Sequence, residues 1–372
     1  MPARYLSRLR LTHFRNYASA ALDLDSRHLV LTGPNGAGKT NLLEAISLLA
    51  PDRGMRRAPF EELAAHGSDG AWAVAVTVDT AAGPADIGTG LAAADTARKV
   101  RINGATARTI EEISDYLRVL WLTPAMDGIF TGPASDRRRF LDRLVTTLVP
   151  GHSSTVADYE KAMRQRNRLL EDNGDPLWLS AIEAQMAEHA AALHFARLDC
   201  LVHLEDLIEE GEEGDFPRAR IGLLPASDVA APQSAAALEG ALRETWEAAR
   251  GADRGAGRTL SGPHRVDFDV RYAQKDMPAA LGSTGEQKAL LIGLILAHAR
   301  LVSRMTGITP FLLLDEIAAH LDPDRRAALF AALDALDTQC FMTGTDPVLF
   351  DALGSRMQRV SVREGRLLSE TR

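Results

Sequence analysis

The chain reads as an α/β nucleotide-binding fold interrupted by a mainly helical insertion, and three observations predict it. A short apolar strand, Leu29-Val30-Leu31, runs into the glycine-rich turn Gly33-Pro34-Asn35-Gly36-Ala37-Gly38-Lys39-Thr40, and a helical pattern starts directly behind it. From about Ser135 to Glu210 strand pattern gives way to helical spacing. Near Thr259 the α/β pattern returns and includes Phe311-Leu312-Leu313-Leu314, a continuous apolar run of the kind a parallel-sheet strand buried on both faces carries. The expected boundaries are 1–124, 125–255 and 256–372.

Taken in order, Leu9, Leu11 and Phe14 and then Leu22 and Leu24 alternate as strands ahead of the glycine-rich turn. Gly33, Gly38, Lys39 and Thr40 fill every fixed position of G-x-x-x-x-G-K-[ST], the phosphate-binding loop. Its glycines let the backbone curl so that successive N–H groups, those of Asn35, Gly36 and Gly38 among them, point at phosphate oxygens. Lys39 is placed to reach the β- and γ-phosphates, the Thr40 hydroxyl to hold magnesium, and Asn41 opens the helix whose positive end faces the anion. Leu42, Leu43, Ile46 and Leu49 give that helix an apolar face.

Pro51 to Arg57 is a basic turn containing Arg53, Arg56 and Arg57. Trp72, Val74, Val76 and Val78 mark a period-two strand, Val100 to Ile102 enters an Asn103-Gly104 hairpin turn, and Val119 to Leu122 is a further strand closed by Thr123-Pro124. Helical spacing follows over Arg139–Val149, Ser154–Glu171 and Leu177–Glu210, with turns at Pro150-Gly151 and Gly174-Asp175-Pro176; short turns make neighbouring helices antiparallel. Glu209–Asp215 and Ala226–Ala237 read as loops of this insertion. Beyond it, Val266–Val270 alternates as a strand, Glu286–Arg304 is a long helix, Asp324–Asp334 is helical, Cys340–Thr343 is a strand, and the end is a hairpin through Glu364-Gly365.

Composition narrows the function classes. The chain has 372 residues, 46% hydrophobic and 25% charged, as an ordinary soluble globular protein does, and its length calls for two domains or one with a large insertion. No run reaches the roughly 18 consecutive apolar residues of a membrane span, and the most apolar stretch, Ala289–Ala297, reads as a buried helix. The N-terminus lacks the apolar core of a secretory signal, and the two cysteines, Cys200 and Cys340, lack metal-ligand spacing, which suits a reducing cytoplasm. A net charge of −8 excludes a generally basic nucleic-acid coat, so DNA contact must come from local patches. The clusters are Arg53/Arg56/Arg57, Arg137/Arg138/Arg139 with Arg143, and Arg164/Arg166/Arg168. Each reads equally as a phosphate-binding patch or as a salt-bridged face, with Asp136 and Asp142 close enough in sequence to pair with the second. No aromatic stripe interleaves them, so single-strand stacking has no support.

Two further segments carry chemistry. Asp315-Glu316 ends the apolar strand; in phosphate-loop ATPases such an Asp holds the magnesium and an adjacent carboxylate polarises the attacking water, so Asp315 is assigned to magnesium and Glu316 to water activation. Ser283-Thr284-Gly285-Glu286-Gln287 precedes the long helix and offers either an ordinary N-cap or a hydroxyl and backbone N–H groups for an anion.

The order of these segments resembles that of the ABC-type ATPases, in particular the branch of chromosome-maintenance heads and the RecF family. Phe14-Arg15-Asn16-Tyr17 is similar to the RecF N-terminal motif, and Gly33 to Ile46 matches that family's G-x-N-G-x-G-K-T-N-L-L-E-A-I. Arg101 to Gly104, Gly132-Pro133 through Arg137 to Asp142, and Ser261 to Asp267 are similar to three further RecF stretches, so the likeness spans nearly the whole chain. It implies an ABC-type ATPase head of mixed β-sheets with helices, carrying an inserted helical arm too short to be a long coiled coil. It implies a weak ATPase in which ATP and Mg2+ lie between two protomers, Ser283 and Gly285 of one facing the γ-phosphate held by Gly33–Thr40 of the other. The homodimer would be a slow clamp on gapped or double-stranded DNA, without sequence preference, acting with RecR- and RecO-type proteins in recombinational repair of gaps and replication forks and in the SOS response. The departures are Asp315-Glu316 where RecF proteins usually carry Asp-Asp, a loose dimer-contact loop at Ala318–Asp322, no Gln after Leu122, where Thr123 is the nearest candidate for the magnesium-sensing role, and Thr343-Gly344-Thr345 where transporters carry a switch His. His264 and Arg265, between a Gly-Pro turn and a strand, read either as family-specific structure or as DNA-facing, with structure favoured. An energy-coupling subunit of a transporter is the alternative, and a small-molecule kinase a third possibility, since a phosphate loop alone permits it.

Overall fold

The computed structural model describes residues 2, 4–211, 214–224 and 234–369. They divide into two compact units: residues up to Asp127, a short stretch at 214–216 and everything from Thr284 onward form the first, and Gly128–Gly211 with Pro217–Ser283 form the second.

The first unit opens with β1 (Tyr5–Phe14), β2 (Tyr17–Asp23) and β3 (His28–Thr32), followed by α1 (Lys39–Ser47). Then come β4 (Trp72–Thr80), β5 (Gly83–Leu91), β6 (Lys99–Ile102), β7 (Ala105–Thr106) and β8 (Val119–Leu122). The second unit contains α2 (Ala134–Leu148), α3 (His152–Glu171), α4 (Pro176–Glu210), β9 (Ala219–Leu224), α5 (Ala235–Ala256), β10 (Asp267–Tyr272) and β11 (Met277–Pro278). The chain re-enters the first unit with α6 (Thr284–Thr306), β12 (Phe311–Leu314), α7 (Pro323–Ala335), β13 (Cys340–Gly344), β14 (Met357–Arg363) and β15 (Arg366–Ser369).

Two six-stranded sheets build the first unit. One is antiparallel in the order β2-β1-β4-β5-β6-β7, and the other is mixed in the order β15-β14-β3-β13-β12-β8. The antiparallel sheet follows period two: Leu9, Leu11, Val74, Val76, Ile87 and Val100 are buried while their neighbours face solvent. In the mixed sheet β3, β8, β12 and β13 pair in parallel and every residue of each is buried, so alternation disappears and the strands read as apolar runs. The hairpin turn between β6 and β7 has Asn103 and Gly104 at φ 50° and 83°, the left-handed pair of a type I′ turn.

α6, at 23 residues with an 18-residue window of mean hydropathy 1.4, is long and apolar enough to cross a membrane by length and composition alone. Leu290, Leu291, Leu294, Ile295, Leu301 and Val302 are buried, and it serves as a core helix of the first unit.

The second unit departs from the expected 256 boundary. β10 was expected to belong with the nucleotide-binding part; instead it pairs antiparallel with β9 along its whole length, and the change-over falls at Ser283/Thr284. Between and beyond the two loops expected after Glu210, in segments to which the sequence assigns no element, lie β9 and the 22-residue α5, whose Trp246 is fully buried against Tyr159, Met186 and Ala190. The loop expected over Ala226–Ala237 lies outside the described residues as far as 233, and the rest of it enters α5. A charged network ties α3, α4 and α5: Arg166, with no solvent exposure, donates to Glu183 (2.9 Å), Asp253 (2.6 Å), the Thr259 hydroxyl and the Trp246 carbonyl. Asp142 accepts both Arg197 nitrogens and His152; burial pushes its carboxyl up, and these partners outweigh that and hold it below the usual range.

Candidate functional site

The glycine-rich turn leaves β3 and enters α1 with Gly33, Gly36 and Gly38 all at positive φ. At two of these positions an added side chain would also meet a close neighbour, backbone at Gly33 and side chains at Gly38. A Cβ on Gly33 would lie 2.2 Å from the Val362 carbonyl oxygen of β14, and one on Gly38 would lie 2.6 Å from the Asn16 amide.

Around this turn the side chains organise its backbone from outside. Asn16 Nδ2 and the Gly365 N–H both donate to the Ala37 carbonyl at 3.1 Å, and Tyr17 Oη donates to the Gly38 carbonyl at 3.0 Å. Asn41 Nδ2 donates to Asn16 Oδ1. Glu44, buried on α1, receives Arg15 through two nitrogens (2.9 and 2.7 Å) and Arg56 through one (3.0 Å), and Arg56 also donates to Asn41. The sequence marked Phe14–Tyr17 only as a motif; its role is to brace this loop.

Lys39 Nζ donates to the Gly33 and Pro34 carbonyls at 2.7 and 3.0 Å, an arrangement that curls the ammonium over the loop. Burial pushes its pKa below the ordinary value, against the pull of Glu316 and Asp315. Thr40 Oγ1 donates to Asp315 Oδ1 at 3.0 Å, which brings the two residues assigned to magnesium into direct contact across 275 positions of sequence. The same Asp315 oxygen accepts Thr343 Oγ1 at 2.7 Å, and that hydroxyl in turn accepts the Glu316 N–H at 2.9 Å. Glu316 has φ 55°, so the backbone turns sharply directly after β12. The oxygen donors Thr40 and Asp315 suit a hard divalent cation, whose preferred ligands are oxygens. Thr343 was noted in the sequence only as standing near the position of a missing His; its part in orienting Asp315 and Glu316 could not be read there.

Ser283, Thr284 and Gly285 are exposed at the start of α6. The Gly285 carbonyl accepts Arg325 Nη1 at 3.3 Å, and Asp322 caps α7 by accepting the Arg325 N–H, so this segment is tied to the end of the expected dimer-contact loop. One turn into α6, Lys288 forms a 3.0 Å ion pair with Asp127.

The arginine clusters separate. Arg137 is an internal tie: it pairs with Asp267 through two nitrogens (2.9 and 2.7 Å), which raises its pKa, and donates to the Gly132 carbonyl. Arg138 donates to the Val266 carbonyl, and Arg139 pairs with Asp136 on its own helix. Of the two readings of this cluster, the salt-bridged one describes Arg137, whose donors hold α2 to Asp267 of β10, whereas Arg138 spends one donor on the Val266 carbonyl. Arg166 of the third cluster is buried in the network described above. Arg53 and Arg57 are exposed and make no ion pair among the described residues. His264 is structural, as expected: Tyr159 Oη lies 2.7 Å from its Nδ1, its Nε2 lies 3.1 Å from the Thr259 carbonyl, and burial lowers its pKa.

A residue with no signal in the sequence is Arg98. It is 6% exposed and donates to the Leu48 and Ala50 carbonyls at 2.6 and 2.9 Å, closing the C-terminal end of α1, and burial pushes its guanidinium down to about 10.

The family model for the RecF/RecN/SMC N terminal domain matches residues 5–367. "DNA replication and repair protein RecF" of Rhizobium leguminosarum bv. trifolii (strain WSM2304) is 54% identical over 366 residues, covering 97% of this chain and 98% of the relative. The protein of the same name from Rhizobium meliloti (strain 1021) is 53% identical over 367 residues, covering 98% of each. A solved structure described as the recombination mediator protein RecF-ATPrS in the RecFOR pathway superposes with a TM-score of 0.85 at 22% identity, over 100% of this chain and 99% of that one. An Smc head domain from Pyrococcus furiosus reaches a TM-score of 0.52 at 16% identity, over 99% of this chain and 96% of that one. The fold is thus an ABC-type ATPase head with a helical arm, and the chain belongs to the RecF family.

Proposed function

We propose that this chain is an ATP-binding DNA replication and repair protein whose two copies close around ATP and hold DNA until slow hydrolysis releases it. The observation that carries the reading is the meeting of Thr40 and Thr343 on one oxygen of Asp315, directly beside Lys39 and the phosphate loop. The name carried by relatives more than 50% identical over nearly their full length supports the repair assignment.

In this reading the loop N–H groups of Asn35 to Gly38, the Lys39 ammonium and the positive end of α1 bind the phosphates, and Asn41 positions Asn16 against the loop. Thr40 and Asp315 would hold Mg2+, which would supply neutralisation of the phosphate charge. The Glu316 carboxylate takes a proton from the attacking water. Ser283 and Gly285, exposed in the single chain, face the γ-phosphate bound by a second copy. That shared phosphate joins the protomers, and its loss separates them, because a ligand bound only by the closed state favours that state by mass action. The clamp works in the cytoplasm at gapped or double-stranded DNA, with RecO- and RecR-type proteins.

Light scattering tests it. With ATP and magnesium, Glu316→Gln is expected to accumulate as a dimer and Lys39→Met to stay monomeric. A Glu316→Gln protein that remains monomeric at saturating ATP refutes the clamp.

A further inference from the structure

The outer face of the antiparallel sheet carries a trough that no part of the nucleotide site uses. Read across the strands, Arg10 on β1 stands opposite Ala75 on β4, Ala75 opposite Gly88 on β5, and Gly88 opposite Arg101 on β6. Three interstrand steps of about 4.8 Å place the two arginines about 14 Å apart. Between them the floor bears only a methyl group and a hydrogen, and the neighbouring row, Ala73 and Gly90, repeats this. Exposed sheet faces ordinarily carry Thr or long polar side chains that cover the backbone. Here a depression opens instead, with three cations, Arg8, Arg10 and Arg101, and one carboxylate, Asp86, on its walls.

The charges on the walls are not neutralised evenly. Arg8 pairs with Asp23 at 3.0 Å, and the Asp86 carboxylate accepts the Thr77 hydroxyl at 2.7 Å. Arg10 and Arg101 are exposed, and neither side chain has a hydrogen bond or ion pair among the described residues. In a chain of net charge −8 this is a cationic strip. Arg8 and Arg10 lie two residues apart on one face, about 6.8 Å along the strand, so the strip offers guanidiniums in a row as well as across. Arg137 of α2, by contrast, is an internal tie to Asp267.

We propose that this trough receives the sugar-phosphate backbone of duplex DNA, with Arg10 and Arg101 on phosphates and the small-residue floor allowing close approach. The assignment rests on the DNA-binding reading above. Guanidiniums on either wall match a polyanion whose charge is continuous. No aromatic side chain stands on the floor or walls, so unstacked bases of a single strand would find no platform.

Fluorescence anisotropy with a labelled duplex, ATP and magnesium, over a salt series, tests the trough in the full-length chain. Each phosphate contact contributes about 0.9 to the slope of log affinity against log salt, so Arg10→Ala/Arg101→Ala is expected to flatten that slope by about 1.8. Ala75→Phe adds bulk at an exposed strand position that favours aromatic residues; it should weaken binding with the slope nearly unchanged. Arg139→Ala should leave both unchanged, and ATP-driven dimerisation should survive in all three. Wild-type affinity and slope in the double variant overturn the trough while leaving DNA binding in place. An absence of duplex binding by the wild type overturns both, and binding confined to single strands overturns the duplex assignment.

Discussion

Removing the Thr343 hydroxyl is the sharpest test of how the site is held. Thr343 is 1% exposed and Asp315 5%, so solvent cannot replace what the hydroxyl does. Thr343→Val keeps the shape and deletes two hydrogen bonds, one to a buried carboxylate and one from the Glu316 N–H. A hydrogen bond to a charged group is worth about 1.5–3 kcal/mol, and an orphaned amide adds about 1 kcal/mol or more, so a loss of about 3 kcal/mol is expected. Thr343→Ser retains the hydroxyl and loses one methyl, a cost of about 1 kcal/mol. Urea denaturation followed by circular dichroism measures the stability, and phosphate release under saturating ATP measures hydrolysis. The valine variant should fall in both, since Asp315 and Glu316 lose their common anchor, and the serine variant should recover most of the activity. A valine variant that hydrolyses ATP like the wild type, or a serine variant as impaired as valine, refutes the argument that Thr343 orients the two carboxylates.

Other perturbations follow from the same structure. Arg98→Met leaves the Leu48 and Ala50 carbonyls without their buried donor; a loss of about 2–3 kcal/mol in urea and weaker ATP binding by titration calorimetry are expected. Arg166→Met leaves Asp253 in the interior of the helical unit without its cation, while Glu183 keeps Arg250; a cost of about 3–5 kcal/mol is expected, visible as earlier protease cleavage within α3–α5. Burial, with the Arg356 charge, lowers the His28 pKa from its usual 6.5 to about 4, and the neighbouring Asp334 is engaged by Arg356. Between those pH values the unfolded chain binds a proton there that the folded chain refuses. Stability is therefore full above pH 6.5 and falls as pH drops towards 4, by about 3 kcal/mol. His28→Gln should flatten that part of the urea-midpoint-versus-pH curve; an unchanged curve disproves the assignment.

The parts of this molecule visible in the sequence are those whose causes are local. Gly33 to Ile46 states its strand, turn and helix in consecutive residues, and the Asn103-Gly104 and Glu364-Gly365 turns name their hairpins through residues that tolerate positive φ. β12 announces itself because burial on both faces demands an unbroken apolar run. β5 was missed because Gly83, Pro84, Gly88 and Gly90 resemble a loop; its inward set, Ala85, Ile87 and Leu91, gains meaning only beside β4. The roles of Thr343, Arg98 and Arg137 depend on partners 28, 48–50 and 130 residues away, a distance over which spacing carries no information. α5 escaped because its alanine-rich segment follows a stretch of small residues and shows few large apolar positions before Trp246.

The bracing of the phosphate loop has a consequence for synthesis. A nascent chain that has emerged as far as α1 already contains every residue of the loop, yet β3 still lacks both of its sheet neighbours, β13 and β14. Val362 and Gly365, which close on Gly33 and Ala37, leave the ribosome among the last residues described. The nucleotide pocket is therefore completed only once the β14–β15 hairpin has been made, and its acquisition reports that translation has passed that hairpin.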